Sequence, residues 1–527
     1  MVKHKTVQFT LLLLVCTLFI GLSLADRVYA QSENGETVIE AIGTEPTNLD
    51  PFKARRRPEL TILPMILEPL FVVNTDLKIE PLLVDSWEVS DDRLTWTLFL
   101  KNEIRFHDGN LLTAEDVKYS LEKHKKGSSA GLIKPIEHVT AVNVHTVRIK
   151  LLKPYPVLLN SLASFNVSIV SKEAAEKAAG EWGSEVIVGT GAYKFKNWIS
   201  GDKVVLERND DYKHGPSFVS NKGPAHVRQW IIRFIPEPTT LLAELLSGDV
   251  DLSDYITERD INRVERAEDI GLVMAKSTSA IYLAINCASD NAPFNDLRVR
   301  RAMAHSVNSE AVRKAAMSGV GEPLYTSISP TTMGFFEPAE DIGKKFTQYN
   351  PQKAEQLLDE AGWIDSDGDG IREKDGQPLL VNFLAFSISR YKRMAEVATP
   401  MLEQVGFKVD LKVLEAGDLY ERVLSGNHDL LSTGLVASQG FAAFDLADTL
   451  HSDNIGSILQ WCHYNNPEMD RLIDTMRYDP KALSREQAME KIQKMAAQEV
   501  TVVPIANAME IFGYKDKVLG GVEEYIK

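Results

Sequence analysis

From Leu94 the chain reads LTWTLFLKNEIRF, and its apolar side chains fall on every second residue: Leu94, Trp96, Leu98 and Leu100, then, past a polar break at Asn102, Ile104 and Phe106. Successive side chains of a strand point to opposite faces, so this spacing predicts a β-hairpin with one buried face. A different rhythm begins after Asp108-Gly109. Thr113 is followed three residues later by Asp116, an arrangement in which a hydroxyl and a carboxylate each satisfy a backbone N–H that a helix leaves open at its start. A helix is therefore expected from Ala114, with Val117 and Leu121 facing inward. In NPQKAEQLLDEAGW, Asn350 caps, Pro351 sits in the first turn, Ala354, Leu357, Leu358 and Ala361 recur at helical spacing, and Gly362 ends the run. Short strands and helices alternate along the chain without a fixed period, which makes the fold mixed α and β and argues against a repeat architecture.

The next stretch, DSDGDGIREKDG from Asp365 to Gly376, places three aspartates two residues apart. An EF-hand loop takes oxygen ligands at positions 1, 3 and 5, a glycine at 6 and a bidentate glutamate at 12. Asp365, Asp367, Asp369 and Gly370 fit, but the twelfth position is Gly376, so Glu373 or Asp375 would have to substitute. Asp and Gly are also the residues that turns favour, and the stretch joins a helix to the apolar run PLLVNFLAF. A structural turn is the expectation, with the three aspartates as weak metal candidates.

Length and charge narrow the class. A chain of 527 residues exceeds what one hydrophobic core serves, so at least two lobes are expected. Lys3 and Lys5 precede an apolar run from Phe9 to Leu24, and Val28-Tyr29-Ala30 supplies small residues at the −3 and −1 positions, which predicts a secretory signal peptide cleaved after Ala30. Lipid attachment at Cys16 is disfavoured, because Val15 stands where a small residue is needed. No later stretch is apolar for long enough to span a membrane. Removing the leader takes the formal charge from −16 to −18, which argues against nucleic acid or an anionic membrane as partner. Cys287 and Cys462 remain in a compartment that permits disulfides, either as one bridge or as two buried thiols.

Catalytic constellations are sparse. The chain has no HExxH, GxSxG or GxxxxGK[ST], and its eleven histidines do not fall at metal-ligand spacing. Ser120 to Lys123 reads S-x-x-K and Ser452 to Asn454 reads S-D-N, but no K-T-G follows and Ser120 falls inside the predicted helix. His451 and His463, near Cys462, could form a soft-metal site; isolated histidines are more often ordinary core or surface residues. No cofactor is expected.

Five ordered blocks carry a resemblance: GTEPTNLDPF (43–52), EPLLVDSWEVSDDRLTWTLFLKNEIRFHDGNLLTAEDVKYSLE (80–122), GTGAYKFKNWISGDKVVLERNDDY (189–212), NAPFNDLRVRRAMAHSVN (291–308) and NPQKAEQLLDEAGW (350–363). In this order they resemble the peptide/nickel class, family 5, of extracellular solute-binding proteins that feed ABC transporters. The resemblance implies an α/β fold, a two-lobe periplasmic-binding-protein-like clamp of three domains with mixed sheets and hinge strands. The first lobe's main domain would take 31–80, 190–277 and 500–527, a small domain would be inserted at 81–189, and the second lobe would run over 278–499. The segments STSAIYLAINC and EVTVVPIAN, rich in β-branched residues, would be the hinge strands.

In peptide-binding relatives an aspartate in a second-lobe loop holds the peptide's amino group. The matching stretch here is TGLVASQGFAAFDLADTLHSDN, where Ser438 stands in the acid's place and Asp445 is the nearest acid. The resemblance thus implies Ser438, Gln439, Phe441 and Asp445 as contacts from one side and Thr44 and Glu45 from the other, while Phe441 and Phe444 also fit a plain core role. The expected function is capture of a small peptide or similar polar solute outside the cytoplasmic membrane, in the periplasm, and delivery by a monomer to the permease subunits of an ABC importer. A nickel chelate, an oligosaccharide or another non-peptide solute is the alternative within the class. An exported serine hydrolase and a calcium-dependent binding protein are the alternatives outside it.

Overall fold

The computed structural model describes residues 37–54, 56–74, 76, 78–435 and 441–516. The leader, Ser438 and Gln439 lie outside the described residues. The chain divides into two compact units, 1–275 with 510–527, and 276–509.

In the first unit, strand β1 (Thr37–Ile42) leads to helix α1 (Arg57–Ile66). Strands β2 (Val84–Val89), β3 (Thr95–Leu100), β4 (Ile136–Asn143) and β5 (Thr146–Leu151) form an antiparallel sheet in the order β2-β3-β5-β4, and helix α2 (Ala114–His124) packs against β4. Strands β6 (Tyr193–Ile199), β7 (Lys203–Arg208), β8 (Gln229–Phe234) and β9 (Leu252–Ser253) join β1 in a second sheet of order β9-β1-β8-β7-β6. Within it β1 runs parallel to both β8 and β9. Its buried face, with Val38, Ile42, Trp230 and Ile232, meets Ile62 and Ile66 of α1 in one apolar cluster. Burial of such side chains stabilises the unit by about 1.5–3 kcal/mol each.

The capping box forms as expected: Thr113 receives the N–H of Asp116, and Asp116 Oδ2 accepts from Thr113 N at 2.9 Å. Val117 and Leu121 are fully buried. The hairpin expected over 94–106 does not form. Trp96, Leu98 and Leu100 are buried, but β3 pairs with β2 and β5, while 101–112 is an irregular loop closed by a bridge between Arg105 and Leu111. Alternation recorded burial rather than pairing: Ile104 and Phe106 plug the core from a loop whose backbone is tied down by His107 N–H donating to Gly189 O.

Strand β10 (Ile270–Ile285) begins in the first unit and continues into the second. There, helix α3 (Pro351–Glu360) is capped by Asn350, whose side chain accepts from Lys353 N, and Gly362 leaves the helix at φ +84°. Strand β11 (Leu380–Phe386), helix α4 (Ser389–Glu403), strand β12 (Lys408–Leu414), helix α5 (Ala416–Leu424) and strand β13 (Leu430–Leu435) build two successive β-α-β crossovers. All three strands are parallel, in the order β12-β11-β13, with β10 antiparallel beside β13. Central β11 buries Val381 and Phe383 to Phe386, as a strand covered on both faces must. Helix α6 (Ala442–Leu450) follows, and β14 (Val502–Lys515) carries the chain back to the first unit, where Leu252 and Ser253 of β9 pair with Tyr514 and Gly513.

Candidate functional site

In open α/β sheets, ligands bind beyond the carboxyl ends of parallel strands, where the loops diverge and backbone groups are left open. Each unit has such an edge. In the first it is the carboxyl end of β1, β8 and β9. Gly43 follows β1, and the ring of Tyr255, just after β9, lies so close to it that a Cβ there would sit 2.5 Å from the tyrosine Cε1. Tyr255 is 42% exposed and Thr44, the next residue along, is exposed. At the start of α1, Arg57 donates to Asp254 Oδ2 from Nε at 3.2 Å and from Nη2 at 3.1 Å, and to Glu510 Oε2 at 2.5 Å. Behind this cluster Glu40 is buried, accepting from Trp230 Nε1 at 2.8 Å. Burial, reinforced by the charge of Asp254, raises the Glu40 carboxyl to about 8, so it carries a proton at neutral pH. The edge therefore sets the Arg57 guanidinium between two acidic side chains, Asp254 and Glu510.

Glu45 is engaged within its own unit: its Oε1 accepts from Trp198 Nε1 at 2.9 Å and from Gly201 N at 3.0 Å, fastening the β6–β7 turn to the end of β1.

In the second unit the corresponding edge is formed by the ends of β11, β12 and β13. It carries aromatic rings: Phe386 meets Tyr391 at 5.8 Å and Tyr420 at 5.6 Å, and Tyr420 stacks on Trp461 at 5.9 Å with 20° between the planes. Tyr391, Tyr420 and Trp461 keep part of their surface open. Phe441, just before α6, bridges Met333 and stacks edge-on with Phe444 at 6.0 Å. Phe441 and Phe444 are both buried, as core residues are. Asp445, in the first turn of α6, is 4% exposed, and its Oδ2 has no partner among the described residues. Burial, with a smaller push from Asp448, raises its carboxyl well above the ordinary range.

Sequence reasoning missed Arg57, Asp254 and Glu510, which meet only through folding, and the aromatic edge. The second was signalled by the β-α-β order around PLLVNFLAF, which places whatever follows that run at a ligand-facing edge.

The other candidates resolve into structure. Ser120 is fully buried, donating to Asp116 O at 2.8 Å and accepting from Val170 N at 3.1 Å, while Lys123 lies over the Tyr119 ring. Ser452 Oγ donates to Asp470 at 2.5 Å. His463 Nε2 lies 2.7 Å from Val423 O, and Cys462 Sγ donates to Thr501 O. Asp365, Asp367, Asp369 and Glu373 bring carboxylate oxygens within 4.8 Å of one another. These oxygens accept from the loop's own N–H groups, Asp365 from Gly368 and Gly370, Asp369 from Ile371 and Glu373 from Ser366. The loop is closed by reciprocal bonds between Ile364 and Glu373, which is the expected turn.

Comparison with known proteins places this geometry. The chain is 27% identical over 484 residues to the oligopeptide-binding protein AppA of Bacillus subtilis, covering 89% of this chain and 84% of that one. It is 26% identical over 472 residues to heme-binding protein A of Haemophilus influenzae, covering 84% and 82%. The crystal structure of NikA from Brucella suis in complex with Fe(III)-EDTA superposes with a TM-score of 0.79 at 23% identity, over 91% of this chain and 95% of that one. No helix among the described residues is long and apolar enough to cross a membrane. The family model described as bacterial extracellular solute-binding proteins, family 5 Middle, matches residues 78–457, and the chain belongs to that family.

Proposed function

We propose that the protein captures a small peptide or similar polar solute outside the cytoplasmic membrane and delivers it to the permease subunits of an ABC importer, binding the solute without transforming it. The observation that carries this reading is that both units present side chains of ligand-binding type at the carboxyl ends of their parallel strands. Arg57 held by Asp254 and Glu510, with Tyr255 and Thr44, serves one half-site; Phe386, Tyr391, Tyr420 and Trp461 serve the other, with the loop 436–440, including Ser438 and Gln439, continuing to Phe441 and Asp445. The charged edge has one more acid than base and suits a solute with a cationic donor, such as an amino group; the aromatic edge suits an apolar or planar part. Names of relatives support the class and its breadth: AppA is named for oligopeptides, and heme-binding protein A for heme.

Closure of two lobes around the solute, hinged on β10 and β14, completes the reading, as do the inserted domain at 81–189, cleavage after Ala30 and a monomeric state. Ser120 supports no hydrolase, since its hydroxyl is buried between Asp116 O and Val170 N, and the Ser452 hydroxyl is taken up as a donor to Asp470 at the start of a short helical turn. The test is native mass spectrometry of the exported protein, to identify a co-purifying solute, followed by calorimetry with that solute. A solute bound with a Kd in the micromolar range or tighter and recovered unchanged supports the proposal. Turnover of the solute, or the absence of any saturable binding to peptides, would sink it.

A further inference from the structure

We propose that Cys287 and Cys462 are the two halves of a disulfide that forms while the exported protein folds. Both thiols are free in the structure and both are buried, at 9% and 6% exposure. Cys287 lies just past the end of β10 and Cys462 in the segment before the helix Pro467–Tyr478. Folding sets them side by side: Cys287 N–H donates to the carbonyl of Cys462 at 2.6 Å. A direct N–H···O=C link of this kind holds two Cα atoms about 5–6 Å apart, inside the span of roughly 4.4–6.8 Å that disulfides bridge.

The sulfurs also converge. Cys287 Sγ donates to Ile285 O at 3.2 Å. Cys462 Sγ donates to Thr501 O at 3.2 Å and has the backbone N–H of Ile285 beside it. Ile285 N–H in turn donates to Thr501 O at 2.9 Å, so the two sulfurs rest on residues that are themselves bonded neighbours, Cys287 on the Ile285 carbonyl and Cys462 on the Thr501 carbonyl. Turning the side chains toward each other gives up only weak S–H donations, while the backbone frame stays in place. These are the two cysteines that lie beyond the predicted leader, in a chain of an extracellular family, where disulfides persist.

The step balances as thiol–disulfide exchange. One cysteine thiolate attacks a sulfur of a dithiol-type oxidant, a protein disulfide of the exporting compartment, and expels one oxidant thiolate. The second cysteine thiolate attacks the mixed disulfide and expels the other. The chain loses two protons and two electrons, and the oxidant leaves as a dithiol. Burial raises the Cys287 thiol to about 11 and the Cys462 thiol well above its ordinary range, so a folded, reduced pair holds little thiolate and reacts slowly. Oxidation therefore belongs to the folding stage, before this core closes. Once made, the bond would fix the backbone beside Trp461 and hold that ring in its stack on Tyr420.

The test uses the full chain exported with its leader, unfolded in denaturant with iodoacetamide and no reductant, and weighed intact. The expected result is no alkylation and a mass two hydrogens below the thiol form, with two alkylations after reduction and a linked peptide pair on digestion. The reduced protein should melt several degrees below the oxidised one. Cys287→Ser should take up one alkylation and melt with the reduced parent; if it fails to fold, the parent's mass decides alone. Two alkylations without reductant, or a bridge between two chains, would overturn the proposal. Neither outcome bears on solute binding, which calorimetry reads separately.

Discussion

Glu40 offers a test of the charged edge that needs no ligand. Its carboxyl is buried in β1, bonded to Trp230 and raised to about 8 by burial and by Asp254, whereas in the unfolded chain it titrates near 4.5. Above pH 4.5 the unfolded chain releases a proton that the folded protein keeps. Stability contributed by this residue therefore falls as pH rises, by about 1.4 kcal/mol per unit, until the folded carboxyl ionises near 8. By pH 7 the penalty is about 3 kcal/mol. Glu40→Gln removes it: the amide oxygen can keep the bond from Trp230, and the amide carries no charge for Asp254 to repel. The variant should match the parent near pH 4.5 and exceed it by about 2–3 kcal/mol at pH 7. Urea unfolding followed by tryptophan fluorescence at pH 5, 6, 7 and 8 reads the difference, with Trp230 reporting from beside the substitution. If the gap between variant and parent does not widen with pH, or if the variant is the weaker at pH 7, the protonated state assigned to Glu40 is wrong.

Glu68 is the opposite case: its carboxylate accepts from Thr190 Oγ1 at 2.6 Å and Tyr212 OH at 2.8 Å and lies 2.7 Å from His214 Nε2, and these partners, His214 foremost, hold it below the usual range despite burial. Its stability contribution is present above the unfolded value and lost as pH falls through the folded one, so Glu68→Gln should destabilise by about 2–4 kcal/mol at pH 7 and progressively less as pH falls below the unfolded value, a difference visible in urea titrations. Asp445→Ala should weaken solute binding by about 1–3 kcal/mol by calorimetry if its unpartnered Oδ2 meets the solute, because the solute group it met would be left unpaired, whereas Asp367→Ala, in the closed loop, should leave affinity unaltered. Chelator should shift the melting temperature by no more than a degree or two, since internal N–H donors already satisfy that loop; a fall of many degrees, reversed by calcium alone, would count against the turn.

What the sequence disclosed followed local rules. Thr113 with Asp116, and Asn350 with Pro351, announce helix starts because the groups that satisfy the open N–H donors sit within four residues of them. The aspartates of 365–369 likewise read as a turn because their partners are the next few backbone amides. The paired strands were less legible: Ile104 and Phe106 alternate as a strand would, yet bury themselves from a loop, since burial and pairing leave the same trace in a sequence. The candidate site was least legible. Arg57, Asp254 and Glu510 come from three distant stretches, and each alone reads as a solvated surface charge. Glu45 drew attention at the end of the first strand, but its partner Trp198 lies in a segment no local pattern connects to it.

The pairing of β9 with β14 has a consequence for how the chain matures. Residues 276–509 are contiguous, so every contact of that unit is available before 510–516 leave the ribosome or the export channel. The other unit waits for its last strand, which Leu252 and Ser253 meet only when Tyr514 and Gly513 arrive. The second unit in sequence is thus the first that can be completed, and the N-terminal part waits with an open sheet edge beside β9, the stage at which a chaperone or a competing strand finds it most exposed.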